Sequence, residues 1–302
     1  MKNIKNFEDF RETFFAFRLS RIVLTALDLQ LFTVMDTKLW TIKHLAKTLQ
    51  VSERGLEILC RNLASAGLLQ KSGSRYSSKR VGQQFLNKHS PLYRGSYLQL
   101  MCQQWDNWNS LTQAVKTGRP VEEKEPETPS YRRAFTWAMH ERSQDAARQV
   151  AKQIDFTSAT SLLDVGGGPG TYALEFLAKN PKMTATILDR PAALDVARDI
   201  AKTRRQGKRL SYQAGDFLTD PIHGNYDVIW ISNVIHIFSP STNIKLLRRL
   251  RSHLNPQGRI LIQDTFLSDT QGLRPAEANL FAVTMLLFTE SGNTYSFSDV
   301  HE

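Results

Sequence analysis

Cysteine is scarce in this sequence, and apolar runs of membrane length are missing from it. The 302 residues include two cysteines, Cys60 and Cys102, whose spacing matches no zinc or redox motif. Two isolated thiols suit a reducing cytoplasm. The first ten residues lack the apolar core of a secretory signal, and runs such as 280–288 are well short of a membrane span. We therefore expect a cytoplasmic protein with no membrane segment.

Positive charge is in excess, with 39 Lys and Arg against 29 Asp and Glu and a net charge of +10. Such an excess can serve nucleic-acid binding. The basic residues fall in three separate stretches, 71–80, 202–209 and 245–251. The last has helical spacing, which predicts a solvated face carrying Arg248, Arg249 and Arg251. We interpret the excess first as a contribution to solubility, and nucleic acid is not the expected partner.

A glycine-rich turn dominates the second half of the chain. The apolar run Leu162–Val165 is followed at once by three glycines and then by a segment with helical spacing. Glycine accepts positive φ and leaves room for a ligand close to the backbone. A second apolar strand ends at Asp189, where a carboxylate can accept hydrogen bonds from both hydroxyls of a ribose. The pattern predicts a nucleoside-cofactor site on a doubly wound sheet.

The remaining pattern divides the chain into a helical half and an alternating half. Five strand-like runs alternate with helical segments: 162–165, 185–188, 210–213, 226–231 and 259–263. This alternation implies a parallel sheet with helices on both faces. Upstream, residues 41–66 predict helix, turn and helix with Ser52 as an N-cap, and residues 68–77 predict a hairpin. Together these elements predict a winged helix, whose apolar second helix favours dimerisation over DNA reading.

Several motifs in order resemble one family. The run DVGGGPG at 164–170 is similar to motif I of the class I methyltransferases, which bind S-adenosylmethionine. The whole chain resembles the small-molecule O-methyltransferases, which include plant phenolic enzymes and bacterial hydroxyneurosporene and antibiotic-tailoring enzymes. The features that carry this resemblance are the winged helix, a helix with Met139 and Ser143, DVGGG at 164–168, LDRP at 188–191, GDF at 215–217 and His236 after the fourth strand.

The resemblance implies a cofactor, S-adenosylmethionine, with S-adenosylhomocysteine as its product. The residues implied at the cofactor are Ser143, Asp164, Gly166, Gly168, Asp189, Arg190, Gly215, Asp216, Phe217 and Ser232. In the family, an Asp at the position of Asp216 meets the adenine amino group and its neighbour packs on the ring. Taken alone, Asp216 fits a turn or a helix cap as well.

The resemblance also implies the residues of catalysis. His236 takes the position of a general base, a task that suits imidazole because its unperturbed pKa lies near working pH. Asp264 takes the position of an acid that orients this His through the other ring nitrogen. Without the family, His236 could be a structural hydrogen-bonding residue and Asp264 a strand-end cap. Met139, Asn233 and Met285 are implied in the acceptor pocket, and no metal is expected.

Two positions depart from the family pattern. Thr294 lies near the place of a second family acid, and Ser232 replaces a Lys that often lines the cofactor pocket. The family sheet has seven strands and we count five, so we expect a catalytic domain that lacks the C-terminal hairpin. The predicted domains are a winged-helix dimerisation domain at 1–95, a helical linker contributing to the substrate pocket at 96–156, with an acidic loop at 121–129, and a cofactor-binding domain at 157–302.

The expected function is methyl transfer to a hydroxyl of a small aromatic or polyketide-like metabolite by a homodimer. Three alternatives stay open. A nucleic-acid methyltransferase fits less well for two reasons. Enzymes that methylate base amino groups carry a Pro-Pro turn after the fourth strand, which the segment SNVIH at 232–236 lacks. Enzymes that methylate the cytosine ring need a catalytic cysteine, and both cysteines lie outside the predicted catalytic domain. The others are a winged-helix DNA-binding regulator and a family member that holds the cofactor without methylating.

Overall fold

The computed structural model describes residues 3–121, 128–269 and 271–301. It divides into two compact units, Met1–Gln103 and Gln104–Glu302. The division falls inside the segment predicted as a linker, and the predicted boundaries at 95 and 156 stay predictions. Most of the acidic loop predicted at 121–129 lies outside the described residues. No described helix is long and apolar enough to cross a membrane.

The first unit is mostly helical. Its helices are α1 (Phe7–Phe15), α2 (Phe17–Asp28), α3 (Leu31–Met35), α4 (Ile42–Leu49), α5 (Glu53–Ser65), α6 (Arg80–Leu86) and α7 (Gly95–Gln103). Its strands are β1 (Trp40–Thr41), β2 (Leu69–Ser72) and β3 (Arg75–Ser78). Apolar side chains from α2 to α6 and from the small sheet form one core in this unit. Helix α1 contributes nothing to that core, because none of its residues is buried.

The predicted winged helix is confirmed in the first unit. Ser52 begins α5 as an N-cap, its hydroxyl accepting a hydrogen bond from the Gly55 N–H at 3.3 Å. Strands β2 and β3 pair antiparallel as the predicted hairpin. Strand β1 pairs with β3 and makes the sheet three-stranded. The sequence analysis did not predict β1, because two residues are too few to show an alternating pattern.

The second unit holds the large sheet. Its helices are α8 (Trp105–Trp108), α9 (Leu111–Thr117), α10 (Pro129–Gln153), α11 (Thr171–Lys179), α12 (Pro191–Lys202), α13 (Pro240–Arg251), α14 (Ala276–Phe288) and α15 (Phe297–His301). Its strands are β4 (Ser161–Val165), β5 (Thr184–Asp189), β6 (Leu210–Ala214), β7 (Tyr226–Ser232), β8 (Leu254–Gln263), β9 (Phe266–Leu267) and β10 (Tyr295–Ser296).

The predicted doubly wound sheet is confirmed. Its strand order is β6-β5-β4-β7-β8, and every neighbouring pair is parallel. Two successive residues of β4 belong to different hydrophobic cores. Leu162 packs in the core that includes α11 and α12, and Leu163 packs in the core that includes α13. Since side chains alternate along a strand, the two cores lie on opposite faces of the sheet. The strand order reverses between β4 and β7, which is where open α/β sheets bind ligands.

Five strands form this sheet in the described residues, which is the number counted from the sequence. The short strands β9 and β10 pair with each other, in parallel, outside the large sheet.

Candidate active site

The glycine-rich turn between β4 and α11 has the backbone that its sequence predicts. Gly166, Gly168 and Gly170 have φ values of +64°, +49° and +67°. At Gly170 any Cβ would also lie 2.4 Å from the Ile187 side chain, and at Gly167 it would lie 2.5 Å from the Asp164 carboxyl carbon. Gly167 and Gly170 were not named among the predicted site residues, although both belong to the glycine-rich run. The turn therefore has to be glycine-rich on steric grounds.

Asp189 ends β5 facing this turn. One carboxylate oxygen accepts the Gly168 N–H at 2.7 Å, and the other accepts the Arg190 N–H at 2.7 Å. Burial raises the pKa of Asp189, while these two donors and the nearby Arg132 and Arg190 guanidinium groups act to lower it. The carboxylate is thus fixed in direction and held beside the backbone of the turn, as a ribose acceptor requires.

Asp164 is the last residue but one of β4, just before the same turn, and is buried, with 2% of its surface exposed. Burial, and secondarily the charge of Asp189, raise the pKa of Asp164 to about 8. Its Oδ2 atom has no hydrogen-bond partner among the described residues. A buried acceptor left unsatisfied is costly, so this oxygen fits a ligand that donates a hydrogen bond. The ammonium group of S-adenosylmethionine is such a donor.

The GDF segment follows β6 and closes the same edge of the sheet. The Gly215 N–H donates to the Asp189 carbonyl at 3.1 Å, and Asp216 Oδ1 accepts the Leu218 N–H at 2.8 Å. Asp216 therefore forms a turn with its own backbone while its side chain stays exposed. Phe217 packs edge to face with Phe238 at a centroid distance of 6.1 Å.

Arg249 holds this segment from helix α13. Its guanidinium donates to the Leu218 carbonyl at 2.7 Å and to the Asp220 carbonyl. The expectation that Arg249 belongs to a solvated face was therefore wrong. The helical spacing was correct, but a long side chain at the edge of a polar face can reach a neighbouring loop.

Helix α10 lies against the glycine-rich turn. The His140 imidazole Nδ1 and the Thr171 hydroxyl are 2.8 Å apart, and both side chains are buried. Thr136 lies one turn earlier, with its methyl group 4.0 Å from a Cβ built on Gly168. Met139 and Ser143, both half-buried, follow Thr136 by three and seven positions and so share its helix face. His140 and Thr136 were not predicted from the sequence.

His236 and Asp264 are brought together as predicted. His236 lies in a short 3₁₀ turn, Ile235–Ile237, just after β7, and Asp264 follows the neighbouring strand β8. The imidazole Nδ1 is 2.6 Å from Asp264 Oδ1, with 9% and 2% of the two side chains exposed. The His236 backbone N–H donates to Asp264 Oδ2 at 3.4 Å. The carboxylate thus contacts one ring nitrogen, Nδ1, and leaves the other, Nε2, outside this contact.

The other neighbours of His236 come from the segment around α14. The Phe281 ring contacts the imidazole edge to face at a centroid distance of 4.7 Å. The Asn293 N–H donates to the His236 carbonyl at 2.9 Å, and a Cβ on Gly292 would lie 2.4 Å from the same oxygen. Thr294, at the place of the second family acid, is buried with 5% exposed. His236 is therefore held by one carboxylate and by backbone contacts.

The remaining predicted residues are two polar ones just before His236, Ser232 and Asn233, and one apolar residue on α14, Met285. Asn233 has a φ of +56° and donates from its side chain to the Ser232 hydroxyl at 2.8 Å. That hydroxyl donates to the Gln263 side chain at 3.1 Å. Met285 is buried and lies one helical turn after Phe281. Within the part of the chain that the structure describes, no group of three or more His, Cys, Asp or Glu side chains could hold a metal ion.

Comparison with known proteins gives two family matches that cover most of the chain. Residues 106–301 match the model of the O-methyltransferase domain, and residues 11–88 match that of the O-methyltransferase dimerisation domain.

The chain is also similar to several individual proteins. One is the 3-hydroxy-5-methyl-1-naphthoate 3-O-methyltransferase of Streptomyces sahachiroi, at 27% identity over 82% of this chain and 74% of that protein. Another is the tetracenomycin polyketide synthesis 8-O-methyl transferase of Streptomyces glaucescens, at 27% identity over 93% of this chain and 85% of that protein. A crystal structure described as a putative O-methyltransferase from Nostoc punctiforme aligns with a TM-score of 0.86, at 25% identity over 99% of this chain and 91% of that one.

Proposed function

Because this chain belongs to the family of S-adenosylmethionine-dependent O-methyltransferases, we propose that it methylates a hydroxyl of a small aromatic or polyketide-like metabolite with His236 as general base. The observation that carries the proposal is the buried His236–Asp264 pair, with its 2.6 Å contact, at the edge of the sheet that also holds the glycine-rich turn. The methyl donor is the cofactor of the family, and O-methylation of small metabolites is the family activity.

The residues that would hold the cofactor surround the β4–β5–β6 edge. Asp189 would accept hydrogen bonds from the ribose hydroxyls, and Asp164 would accept one from the ammonium group. Asp216 and Phe217 would contact the adenine, with Gly166, Gly168, Arg190, Gly215, Ser143 and Ser232 as further contacts. S-adenosylmethionine, when bound, supplies a methyl group on a sulfonium, which is a strong electrophile.

His236 would remove the proton of the acceptor hydroxyl. With Nδ1 carrying a hydrogen and donating it to Asp264, the tautomer is fixed and Nε2 has a free lone pair. The acceptor proton would pass to Nε2, and the resulting imidazolium would be stabilised by the buried Asp264 carboxylate. The oxygen gains nucleophilicity as it loses this proton, which is the purpose of a general base.

The acceptor is proposed to be aromatic for two reasons. The surroundings of His236 include the Phe281 ring and buried Met285, and Met139 lies on the face of α10 that carries Thr136. Apolar and aromatic side chains of this kind suit a flat hydrophobic ligand. The names of the two Streptomyces relatives also specify a naphthoate and a polyketide-derived acceptor.

The test is an assay of the purified protein with matched acceptors. Naphthalene diols, the corresponding naphthylamines and thiols, and aliphatic alcohols are each incubated with S-adenosylmethionine, and products are identified by mass spectrometry. We expect the O-methyl ether of a naphthol as the preferred product. Preferred methylation of the amine or of the aliphatic alcohol would contradict the proposed acceptor class, and a protein that binds the cofactor yet methylates none of these acceptors would contradict the proposed reaction.

The homodimer is proposed to form through the first unit, which carries the dimerisation-domain match. Helix α1 exposes Phe7, Phe10 and Phe14, each at least half exposed. A groove of about 490 Å³ between α2 and α5 is lined mostly by apolar side chains, Ile22, Leu29, Leu56, Ile58 and Leu59 among them. Helix α5 is the second helix of the winged helix, and an apolar surface on it suits a protein partner better than a phosphate backbone.

A further inference from the structure

The polar side chain of Asn243 lies on the apolar face of helix α13. Asn243, Leu246 and Leu250 recur at the spacing of one helix face, and all three are buried. The two leucines pack in the core that also holds Ile235, the residue directly before His236. This pattern favours a third apolar residue at position 243, so the presence of an asparagine has to be explained by what its amide group binds.

The amide nitrogen of Asn243 binds the turn that carries His236. Nδ2 donates to the Ile235 carbonyl at 2.8 Å and to the Phe238 carbonyl at 3.3 Å. Both partners can only accept hydrogen bonds, which identifies the atom facing them as the nitrogen. The amide group thus uses its two hydrogens on two carbonyls, one on each side of His236.

The amide oxygen of Asn243 shows that packing alone does not account for this residue. Asn243 is buried, with 8% of its surface exposed, and its Oδ1 has no hydrogen-bond partner among the residues that the structure describes. A buried acceptor without a donor destabilises the folded state, and a leucine of similar shape would avoid this loss. The two hydrogen bonds of Nδ2 are therefore the reason for an asparagine here.

Other elements hold the rest of the same turn. The Tyr295 hydroxyl donates to the Phe238 carbonyl, and the Asn293 N–H donates to the His236 carbonyl at 2.9 Å. Asp264 contacts the His236 backbone N–H and the ring nitrogen Nδ1. The backbone on both sides of the imidazole is thus fixed from outside the turn.

The Ile235 carbonyl is the part of the turn that depends on Asn243. Within the described chain, this carbonyl accepts hydrogen bonds from Asn243 Nδ2 and from the Phe238 N–H, at 3.3 Å, which belongs to the turn itself. Asn243 therefore provides the hydrogen bond that ties the beginning of the turn to helix α13.

We propose that Asn243 is a positioning residue for the general base, because it holds the turn on both sides of His236 and so keeps the imidazole in its 2.6 Å contact with Asp264. This role rests on the proposed function of His236. The two members of the pair follow different strands, so a small shift of the turn lengthens their contact and moves Nε2 relative to the acceptor. A displacement of about 1 Å is enough to lower a rate by about a hundredfold.

The test compares three variants with the wild type. Asn243→Leu has a similar branched shape and removes both hydrogen bonds, and Asn243→Ser keeps a single donor. Leu246→Ala is the matched control, because it removes apolar contacts from the same helix face and leaves the amide of residue 243 in place. The midpoint of thermal unfolding, the affinity for S-adenosylhomocysteine, and kcat and KM with a naphthol acceptor are measured for each protein.

The contact between His236 and Asp264 can also be followed without any acceptor. A short hydrogen bond between an imidazole nitrogen and a carboxylate is charge-assisted, and its proton gives a far-downfield resonance in a proton NMR spectrum. The loss of this resonance in His236→Ala assigns it. We expect Asn243→Leu to shift or abolish the resonance, and Leu246→Ala to leave it unchanged.

In the kinetic measurements, we expect kcat of Asn243→Leu to fall by about tenfold to a hundredfold, with KM and S-adenosylhomocysteine affinity within about twofold of the wild type. Asn243→Ser should have a kcat between these two proteins. Leu246→Ala should unfold at a lower temperature because it leaves a cavity, while its kcat stays within about twofold of the wild type.

Three results would overturn the positioning role: wild-type kcat in Asn243→Leu, a loss of kcat with an unchanged dyad resonance, or an equal loss of kcat in Leu246→Ala. The last two are what a merely structural residue would give. If Asn243→Leu does not fold, Asn243→Ser decides by the same criteria. A His236→Ala enzyme with the wild-type rate would instead contradict the general base on which the role rests.

Discussion

At the scale of single residues, the chemistry depends on how two carboxyl groups are buried. Asp264 is almost wholly buried, yet it accepts hydrogen bonds from the His236 ring, the His236 N–H and the Thr265 N–H. A buried carboxyl group needs such donors, because a buried acceptor without a partner is costly. Asp164 is equally buried but has one oxygen without a partner among the described residues, and its pKa is raised to about 8. The two groups therefore differ in how completely donors satisfy their oxygens.

The Asp264→Asn variant tests the role of the first carboxyl group. An amide at this position can donate to Nδ1 and so favour the tautomer in which Nε2 carries the hydrogen and cannot act as a base. We expect kcat to fall by about a hundredfold to ten-thousandfold, with unchanged affinity for S-adenosylhomocysteine. Asp195→Asn, which alters an exposed carboxylate on α12, is the control. An Asp264→Asn enzyme with wild-type kcat would rule out the proposed dyad.

The Asp164→Asn variant tests the role of the second carboxyl group, that of Asp164. Folding raises the pKa of Asp164 from 3.8 to about 8. The stability associated with the protonated group is therefore fully present below pH 3.8, and it is lost progressively as the pH rises toward about 8. We therefore expect Asp164→Asn to raise the free energy of unfolding of the cofactor-free protein at pH 7.5 by about 3 kcal/mol, and to weaken cofactor binding. Urea denaturation of both proteins at pH 5 and pH 7.5 measures this. A gain that is equal at both pH values would contradict the raised pKa.

At the scale of elements, the site is assembled by helices that contact loops from outside the sheet. Helix α10 reaches the glycine-rich turn through His140 and Thr171. Helix α13 reaches the GDF segment through Arg249. The segment after α14 reaches His236 through the Asn293 N–H. Each of these three loops at the candidate site is thus fixed by an element that is distant in sequence.

The Arg249→Met variant tests one of these contacts. Without the guanidinium, the carbonyls of Leu218 and Asp220 lose their donors and the segment that carries Asp216 and Phe217 becomes less well ordered. We expect affinity for S-adenosylhomocysteine to fall about fivefold to tenfold, together with about 1–2 kcal/mol of stability. Arg248→Met, on the exposed neighbour, should change neither. If the two variants bind S-adenosylhomocysteine equally well, Arg249 does not position the segment that carries Asp216 and Phe217.

The large elements were predictable because each has a strong local pattern. The five strands of the main sheet are apolar runs bounded by turns, and the structure extends them by a few residues at their ends. The meeting of His236 and Asp264 was predictable from the family, and it agrees with the geometry of parallel sheets, since neighbouring strands end at the same edge. The two-residue strands β1, β9 and β10 were missed because they are too short for any periodicity.

The supporting contacts of the site were not predictable. Arg249 and His140 contact residues that lie far away in sequence, and their local patterns show an ordinary helix. Which neighbour a long polar side chain reaches depends on helix packing, and one sequence does not contain that information. Gly167 differs from these residues, because it belongs to the glycine run that the sequence shows. A side chain at this position would collide with the carboxyl group of Asp164.

At the scale of the whole molecule, the positive charge has structural uses that composition hides. The guanidinium of Arg209 donates to the carbonyls of Leu177, Asn180 and Met183 at the end of α11 and beyond. Arg249 and Arg259 likewise donate to backbone carbonyls. These guanidinium groups keep their charge, but their N–H groups are already used by backbone carbonyls of the second unit.

The apolar surface of the first unit predicts how the protein associates. A charge placed among Phe7, Phe10 and Phe14 would have to be desolvated in an interface. We expect Phe14→Asp to weaken dimerisation by about a hundredfold, while Phe14→Leu keeps it. Light scattering coupled to size-exclusion chromatography over a range of concentrations gives the mass of each variant. A Phe14→Asp protein as dimeric as the wild type would place the interface elsewhere.

The most direct test of the whole account is single-turnover methylation by the His236→Ala variant. Asp264 and the cofactor residues stay in place, so affinity for S-adenosylhomocysteine should lie within about twofold of the wild type. We predict that the rate with a naphthol acceptor falls by about a hundredfold to ten-thousandfold, because the acceptor proton has no base to receive it. A His236→Ala enzyme that binds the cofactor product normally and methylates at the wild-type rate would contradict the account.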